Sequence, residues 1–381
     1  MTLIKPDPAH IVFLFSDTGG GHRSAAQAII EALSLEFPGQ TTHEMVDIFR
    51  DYAPPPLHMM PEMYPPLTQM PRAWGMGYHL SDGPRRTRFF YQMVWPYIRW
   101  GLRRLIREHP ADLLVSVHQL INHPMARALS TMDKPPAFVT VVTDMVSTHA
   151  AWYSPHADLV VVPTQAAFER GVGFGVSPKR MVEIGLPVAD RFCAPVGDRC
   201  LLRQQMGWPL DRPVALLVGG GEGMGPLESM AKAVDEARLP LTMAVIAGRN
   251  RKLKEKLERY PWHTPTTIYG FVKDMPEFMR AADILVTKAG PGTICEAFIA
   301  GLPMVLYARL PGQEDGNVDY VVDHGAGVWA PRPEAVVSAL HAWLRSPDQR
   351  EKAAQACLRL ARPRAARDIA HVLMQQIRVP V

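Results

Sequence analysis

Apolar runs of four to six residues alternate along the chain with polar segments in which apolar positions recur at helical spacing. His10–Phe15, Glu44–Phe49, Leu113–Val117, Ala137–Val142 and Leu159–Val162 read as short buried strands in the first half. Pro213–Val218, Leu241–Ile246, Thr267–Phe271, Asp283–Thr287 and Pro303–Tyr307 repeat the rhythm in the second. Helical segments lie between them, from about Arg23 to Leu35, Arg251 to Arg259, Thr293 to Ile299 and from about Pro333 to the end. This is an α/β chain holding two consecutive α/β domains. The expected boundaries are an N-terminal domain over 1–187, a linker over 188–200, a second domain over 201–358, and a C-terminal helix over 359–381 that is free to return to the first domain.

The rhythm breaks after the second strand. Seven prolines fall between Pro54 and Pro71, mixed with Met59, Met60, Met63, Tyr64 and Met70. Proline at this density argues against a continuous helix or a central strand, so the expectation is a long, apolar, irregular loop of the kind that forms lids or binding surfaces. Beyond it, a helix starting near Pro96 would put Ile98, Leu102, Leu105 and Ile106 on one face, and Arg99, Arg103 and Arg107 on another. With Trp74, Trp95 and Trp100 these arginines are the candidate membrane-docking residues. The same helix packed on its own domain, with the arginines in water, is the competing reading.

Charge sharpens the picture. Between Pro84 and Arg107 there are seven arginines and no acid, and removing them from the formal net charge of +4 leaves −3. The basic character is local, which suits an anionic membrane surface and argues against a nucleic-acid binder. The four cysteines, Cys193, Cys200, Cys295 and Cys357, have neither disulfide-framework nor zinc spacing, so a reducing cytosol is the default. No apolar run has the length of a signal segment or a membrane span.

Candidate chemistry gathers at glycine turns between strands and helices, where unpaired amides and the helix dipole favour an anion. Gly219, Gly220, Gly221 and Gly223 form one such turn, and Ala289, Gly290, Gly292 and Thr293 another, with Lys288 as an added charge. Glu296, one turn into the following helix, is placed to accept hydrogen bonds from a sugar diol. A third turn holds Gly19, Gly20 and Gly21, followed by His22. It matches no dinucleotide or Walker pattern. Its glycines let a substrate approach the backbone, and His22 is a candidate general base because its ordinary pKa lies near working pH. His118, Asp144, His149 and Trp152 follow strand ends, where ligands of open α/β sheets bind. There is no Asp-x-Asp motif, so no divalent metal is expected at a diphosphate and no cofactor is expected.

These motifs have a resemblance. Asp17-Thr18-Gly19-Gly20-Gly21-His22-Arg23, Val142-Thr143-Asp144, Gly219-Gly220-Gly221-Glu222-Gly223-Met224-Gly225-Pro226, Gly248-Arg249-Asn250-Arg251-Lys252-Leu253, Thr287-Lys288-Ala289-Gly290-Pro291-Gly292-Thr293-Ile294 and Pro311-Gly312-Gln313-Glu314 resemble, in this order, the monogalactosyldiacylglycerol synthase family. That resemblance implies a GT-B fold, two Rossmann-like α/β/α domains facing across a cleft. It implies inverting transfer of galactose from UDP-galactose to the sn-3 hydroxyl of 1,2-diacylglycerol. By the family's pattern Glu296 binds the ribose, Gln313 and Glu314 the hexose, and Phe271 and Val272 the uracil, with Asn250 in the donor site. Gly20, Gly21, Asp144, His149 and Trp152 then belong to the acceptor side. The partners implied are a UDP-hexose, diacylglycerol and an anionic membrane surface, and the expected location is cytoplasmic, peripheral on the inner face of the cell membrane. A diacylglycerol glucosyltransferase, a UDP-sugar epimerase and a non-catalytic UDP-sugar sensor stay open as alternatives.

Overall fold

The computed structural model describes residues 7–68, 70–194, 197–221, 223 and 225–377. The chain divides into two compact units, one of Met1–Asp190 with Pro311–Gln313 and Arg364–Val381, the other of Arg191–Leu310 with Glu314–Pro363.

The first unit runs β1 (Ala9–Phe15), α1 (Gly20–Glu36), β2 (Thr41–Asp47), α2 (Met60–Thr68), α3 (Pro71–Ser81), α4 (Pro84–Glu108), β3 (Leu113–Ser116), α5 (Asn122–Leu129), β4 (Ala137–Val141), β5 (Leu159–Val162), α6 (Gln165–Gly173) and β6 (Met181–Glu183). Its all-parallel sheet has the order β2-β1-β3-β4-β5-β6. A parallel sheet needs helices on both faces, which is why its strands are unbroken apolar runs. On one face α1 supplies Ala26, Ile29 and Leu33. On the other α4 supplies Leu102 and Leu105, and α5 supplies Met125 and Leu129.

A helix α7 (Asp190–Cys193) leads into the second unit: α8 (Arg199–Gln205), β7 (Val214–Val218), α9 (Leu227–Glu236), β8 (Thr242–Ile246), α10 (Arg251–Glu258), β9 (Thr266–Tyr269), α11 (Met275–Ala281), β10 (Ile284–Lys288), α12 (Pro291–Ala300), β11 (Met304–Ala308), α13 (Asp315–Asp323), β12 (Gly327–Trp329), α14 (Pro333–Arg345) and α15 (Pro347–Leu360). Its parallel sheet, β12-β11-β10-β7-β8-β9, has the doubly wound dinucleotide-fold order, and the order reverses between β7 and β10. The last helix, α16 (Ala365–Gln376), packs Ile369, Ala370 and Leu373 into the core of the first unit beside α1.

Two expectations are corrected. Residues 54–71 are not one irregular loop, because a single turn at Leu57–Met59 leads into α2 and α3. Pro61 and Pro71 fall in the first turns of these helices, where a missing N–H costs nothing, and Pro66 lies inside the nine-residue α2, so proline keeps these helices short instead of preventing them. The arginine-rich helix does not begin at Pro96 either. It runs unbroken from Pro84, with Pro96 inside it and facing solvent. The carbonyl that Pro96 leaves unbonded, that of Gln92, also lies on the exposed side, and the buried face opposite carries the helix. The edge strands β6 and β12, three residues each, gave no pattern long enough to read.

Candidate active site

In the first unit the sheet order reverses between β1 and β3, and the turns leaving these strands meet. The turn after β1 ends at Gly19, whose φ of 81° suits glycine, and α1 starts with no side-chain cap. Gly20 and Gly21 have ordinary φ, and a Cβ built on either meets no heavy atom within 4 Å. Their α1 amides are open to a ligand. Tyr64 of α2 lies at this turn, 3.3 Å from a Cβ built on Gly19.

His22, half-buried in the first turn of α1, points Nδ1 at Val117 O (2.7 Å) and Thr143 Oγ1 (3.0 Å). A carbonyl only accepts, so Nδ1 carries the proton and Nε2 keeps its lone pair. Burial pushes the His22 pKa down to about 4, against the opposing pull of the Val117 carbonyl. The ring stays neutral at working pH.

His118 lies 4.5 Å from His22, ring to ring. Its Nδ1 accepts from the Leu120 amide at 3.3 Å, so its Nε2–H donates to Thr18 Oγ1 at 2.9 Å. It is buried and its pKa lies well below the ordinary value through burial, then through the nearby His22.

The other acceptor-side residues prove to be largely internal. Trp152 is fully buried, and its Nε1 donates to Asp144 Oδ2 at 2.7 Å. It therefore offers no surface to a ligand, because the indole fills the core beneath β4 and reaches the site only through Asp144. Asp144 is buried, and its Oδ1 accepts from Gln313 Nε2 at 2.9 Å within the same unit. His149 accepts the Ala151 amide on Nδ1 at 3.0 Å and donates to Ser81 Oγ at 3.2 Å. With Tyr78, whose hydroxyl donates to Ser147 O, and Asp82, which accepts from the Ala150 amide and Arg170, it fastens α3 to the loop after β4.

Of the docking residues, Trp100 is 67% exposed, whereas Trp95 packs on the core under Arg127, whose Cζ is 4.3 Å from the ring. Trp95 is thus not free to enter a membrane. Trp74 is half-buried, edge-on to Tyr64 at 5.5 Å. The face with Ile98, Leu102, Leu105 and Ile106 packs inward, as the competing reading had it. A different stripe of α4 points outward: Phe89, Phe90, Met93, Tyr97 and Trp100, flanked by Arg103 and Arg107 on the exposed side; Arg99 is partly covered. Among the described residues, eleven of the nineteen exposed large apolar side chains lie between Met59 and Trp100.

In the second unit the turns after β7 and β10 flank the switch point. The side chain of Lys288 lies between them: a Cβ on Gly220 would be 3.4 Å from its Cε, and one on Gly290 3.3 Å from its Nζ. Its ammonium is 3.1 Å from Glu314 Oε1, and Glu314 Oε2 accepts the Leu310 amide at 2.7 Å. Not every expected backbone donor is available. Ala289 N bonds Ala308 O, Gly290 N bonds Lys288 O, Gly219 N bonds Ile246 O and Gly223 N bonds Gly220 O. The amides of Gly220, Gly221, Gly292 and Thr293 have no partner among the described residues. Gly223, at φ 61°, lets the turn touch Ala247 O and sit against Asn250. Asn250 accepts the Leu253 amide at 3.0 Å as the N-cap of α10 and donates to Gly223 O at 3.3 Å, so it braces the turn. Glu222 and Met224 lie outside the described residues.

Glu296 is half-buried, and burial raises its pKa to about 8, partly opposed by Arg191. No hydrogen bond reaches its carboxylate from the described residues. Phe271, 52% exposed, lies under Arg249, whose Cζ is 4.3 Å from the ring, with Val272 half-buried beside it. Arg249 was visible only as a letter in a motif. Here it is a second cation by the glycine turn, its Nη1 3.5 Å from a Cβ on Gly221. Among the described residues no three or more His, Cys, Asp or Glu side chains converge as a metal site would require.

Comparison with known proteins fits this arrangement. A family profile described as monogalactosyldiacylglycerol (MGDG) synthase matches residues 22–188, and one described as glycosyltransferase family 28 C-terminal domain matches 214–371. The chain is 33% identical to monogalactosyldiacylglycerol synthase 1, chloroplastic, of Arabidopsis thaliana, over 97% of this chain and 72% of the relative.

The chain belongs to the monogalactosyldiacylglycerol synthase family.

It is also 36% identical to a probable monogalactosyldiacylglycerol synthase 2, chloroplastic, of Oryza sativa subsp. japonica, over 96% of this chain and 81% of the relative. Among solved structures it resembles Acinetobacter baumannii MurG (TM-score 0.60, 16% identity, 97% of this chain and 100% of that one). It resembles the calicheamicin glycosyltransferase CalG4 as well (TM-score 0.60, 15% identity, 98% and 100%). The fold is GT-B, with two Rossmann-like units. The relatives correct one expectation: they are chloroplastic, which overturns a cytoplasmic location at the inner face of the cell membrane. Cysteine spacing reports a reducing chemistry and does not name the compartment. No helix among the described residues is long and apolar enough to cross a membrane.

Proposed function

We infer that this protein moves galactose from UDP-galactose to the sn-3 hydroxyl of 1,2-diacylglycerol, with inversion at the anomeric carbon and release of UDP. The observation that carries this is identity of 33% and 36% to MGDG synthases along 97% and 96% of the chain. His22 Nε2 takes the proton of the glycerol hydroxyl as its oxygen bonds the anomeric carbon. The bond from that carbon to the diphosphate breaks, and its electron pair goes to the phosphate oxygen. The open amides of Gly220, Gly221, Gly292 and Thr293, with Lys288 nearby, receive that charge without a divalent metal. Glu296 takes the ribose hydroxyls, Phe271 and Val272 the uracil, and Gln313 and Glu314 the hexose. Diacylglycerol stays in a bilayer, so the enzyme docks on one. The outward stripe of α4 supplies apolar and aromatic contact, and its arginines meet anionic headgroups.

The test is incubation with diacylglycerol and UDP-galactose or UDP-glucose, with and without EDTA, followed by lipid separation. Galactolipid formed in both metal conditions is expected. A glucolipid product would transfer the protein to the glucosyl branch, and loss of activity in EDTA restored by magnesium would refute the metal-free diphosphate site.

A further inference from the structure

His22 is held by two chain segments that sequence separates from it by 95 and 121 positions. Val117 follows β3, and Thr143 follows β4. Thr143 is buried, and its hydroxyl oxygen lies 3.0 Å from His22 Nδ1. Because the Val117 carbonyl at 2.7 Å obliges Nδ1 to be the protonated nitrogen, the Thr143 oxygen is a second acceptor for the same N–H. Two acceptors in the turns after different strands fix the ring plane, and the carbonyl among them fixes the tautomer.

We propose that Thr143 is a positioning residue for the transfer: its hydroxyl, a second acceptor for the Nδ1–H that the Val117 carbonyl fixes, orients the His22 ring so that Nε2 serves as the base. The inference rests on His22 being that base. When Nε2 takes the acceptor proton, the ring becomes an imidazolium whose Nδ1–H is already held by two oxygens. Among the described residues no carboxylate bonds His22, so these neutral acceptors are its support. The titratable groups nearby are otherwise occupied. His118 is fixed as a neutral Nε2–H donor to Thr18, Asp144 is held by Trp152 and Gln313, and Asp17 pairs with Arg23 at 2.7 Å.

Thr143→Val removes the oxygen at nearly constant shape, and Thr143→Ser keeps it. In the full chain, Thr143→Val should lower kcat about tenfold, the size of one hydrogen bond to a charged group, with KM for UDP-galactose unchanged. It should also move the acidic limb of the kcat/KM profile to lower pH, because losing an acceptor disfavours the imidazolium. Thr143→Ser should stay near the parent in both. A second readout needs no turnover: in ¹H,¹⁵N-histidine NMR the Nδ1–H tautomer, set by Val117, should persist, but the Nδ1 proton resonance should move upfield in Thr143→Val, or in Thr143→Ala if that variant does not fold, because one of its two acceptors is lost. An unmoved Nδ1 proton resonance with an unmoved acidic limb in the hydroxyl-free variants overturns the proposal, as does an equal loss in Thr143→Ser. His22→Gln separates the two levels. Near-parental turnover there removes the base reading itself, whereas lost turnover there with an unaffected Thr143→Val removes only the positioning role.

Discussion

Gly20 and Gly21 offer a sharp separation of structural from chemical necessity. Neither has a positive φ, and a Cβ on either meets nothing within 4 Å, so the fold does not require glycine at these positions. Both lie in the first turn of α1, where alanine is the better helix former by about 0.5–1 kcal/mol. Gly21→Ala should therefore leave stability unchanged or raise it, by about 1–3 °C in Tm for a unit of this size. If the space above the turn belongs to the glycerol hydroxyl, the new methyl displaces the acceptor by about 1 Å, a shift that costs about 10- to 100-fold in rate. The expected result is a more stable protein whose kcat/KM for diacylglycerol falls by that factor, with UDP affinity retained in calorimetry. Gly19→Ala is the contrast, since φ of 81° and Tyr64 at 3.3 Å should cost stability as well. A Gly21→Ala protein with parental kcat/KM would refute an acceptor at this turn.

Gly223→Ala should destabilise by about 2–4 kcal/mol in chemical denaturation, from left-handed backbone and overlap with Ala247, while Gly39→Ala, at φ 72° in open space, costs only about 1 kcal/mol; equal losses would contradict the overlap argument. Glu296→Ala should weaken UDP about tenfold by calorimetry, the loss of one hydrogen-bonding group to the ribose, and unchanged affinity would remove the ribose assignment. With His22 depressed to about 4 by burial, kcat/KM should hold from neutral pH down to about pH 5, halve near pH 4 and fall about tenfold per pH unit below that as Nε2 is protonated; an acidic limb at pH 6.5 would mean a solvated histidine. Cosedimentation with anionic liposomes should weaken with salt and with Arg103→Glu plus Arg107→Glu, each arginine contributing about 1 kcal/mol, and equal binding to neutral vesicles would rule out the arginine contribution.

Much of the site was legible in local sequence, because its elements are local. A buried parallel strand needs a continuous apolar run, and a turn that brings bare backbone to a helix start needs glycine. Five strands per unit, the three glycine turns and His22 followed from those two rules. The outward stripe of α4 was not legible. Its 25 residues carry two apolar faces, and sequence cannot say which one the sheet covers. The shorter reading from Tyr97 chose the face that packs inward, and Phe89, Phe90 and Met93 lay beyond the helix it assumed. Nor does periodicity tell which amides of a glycine turn are already bonded: Ala289 and Gly290 look like Gly292 and Thr293 until β11 takes the Ala289 amide.

What the sequence determined by itself was the inventory: two α/β units, glycine turns at helix starts and a histidine at one of them, with each turn and its flanking strand and helix start encoded locally. What only the tertiary structure decided was protonation and exposure. His22 keeps its lone pair on Nε2 because the Val117 carbonyl, 95 positions away, occupies Nδ1, and Trp152 is core because the turn after β4 folds it under the sheet. Hydrogen-bond partners and burial belong to residues that meet only when distant strands pair, and no local window of sequence contains both members of such a pair.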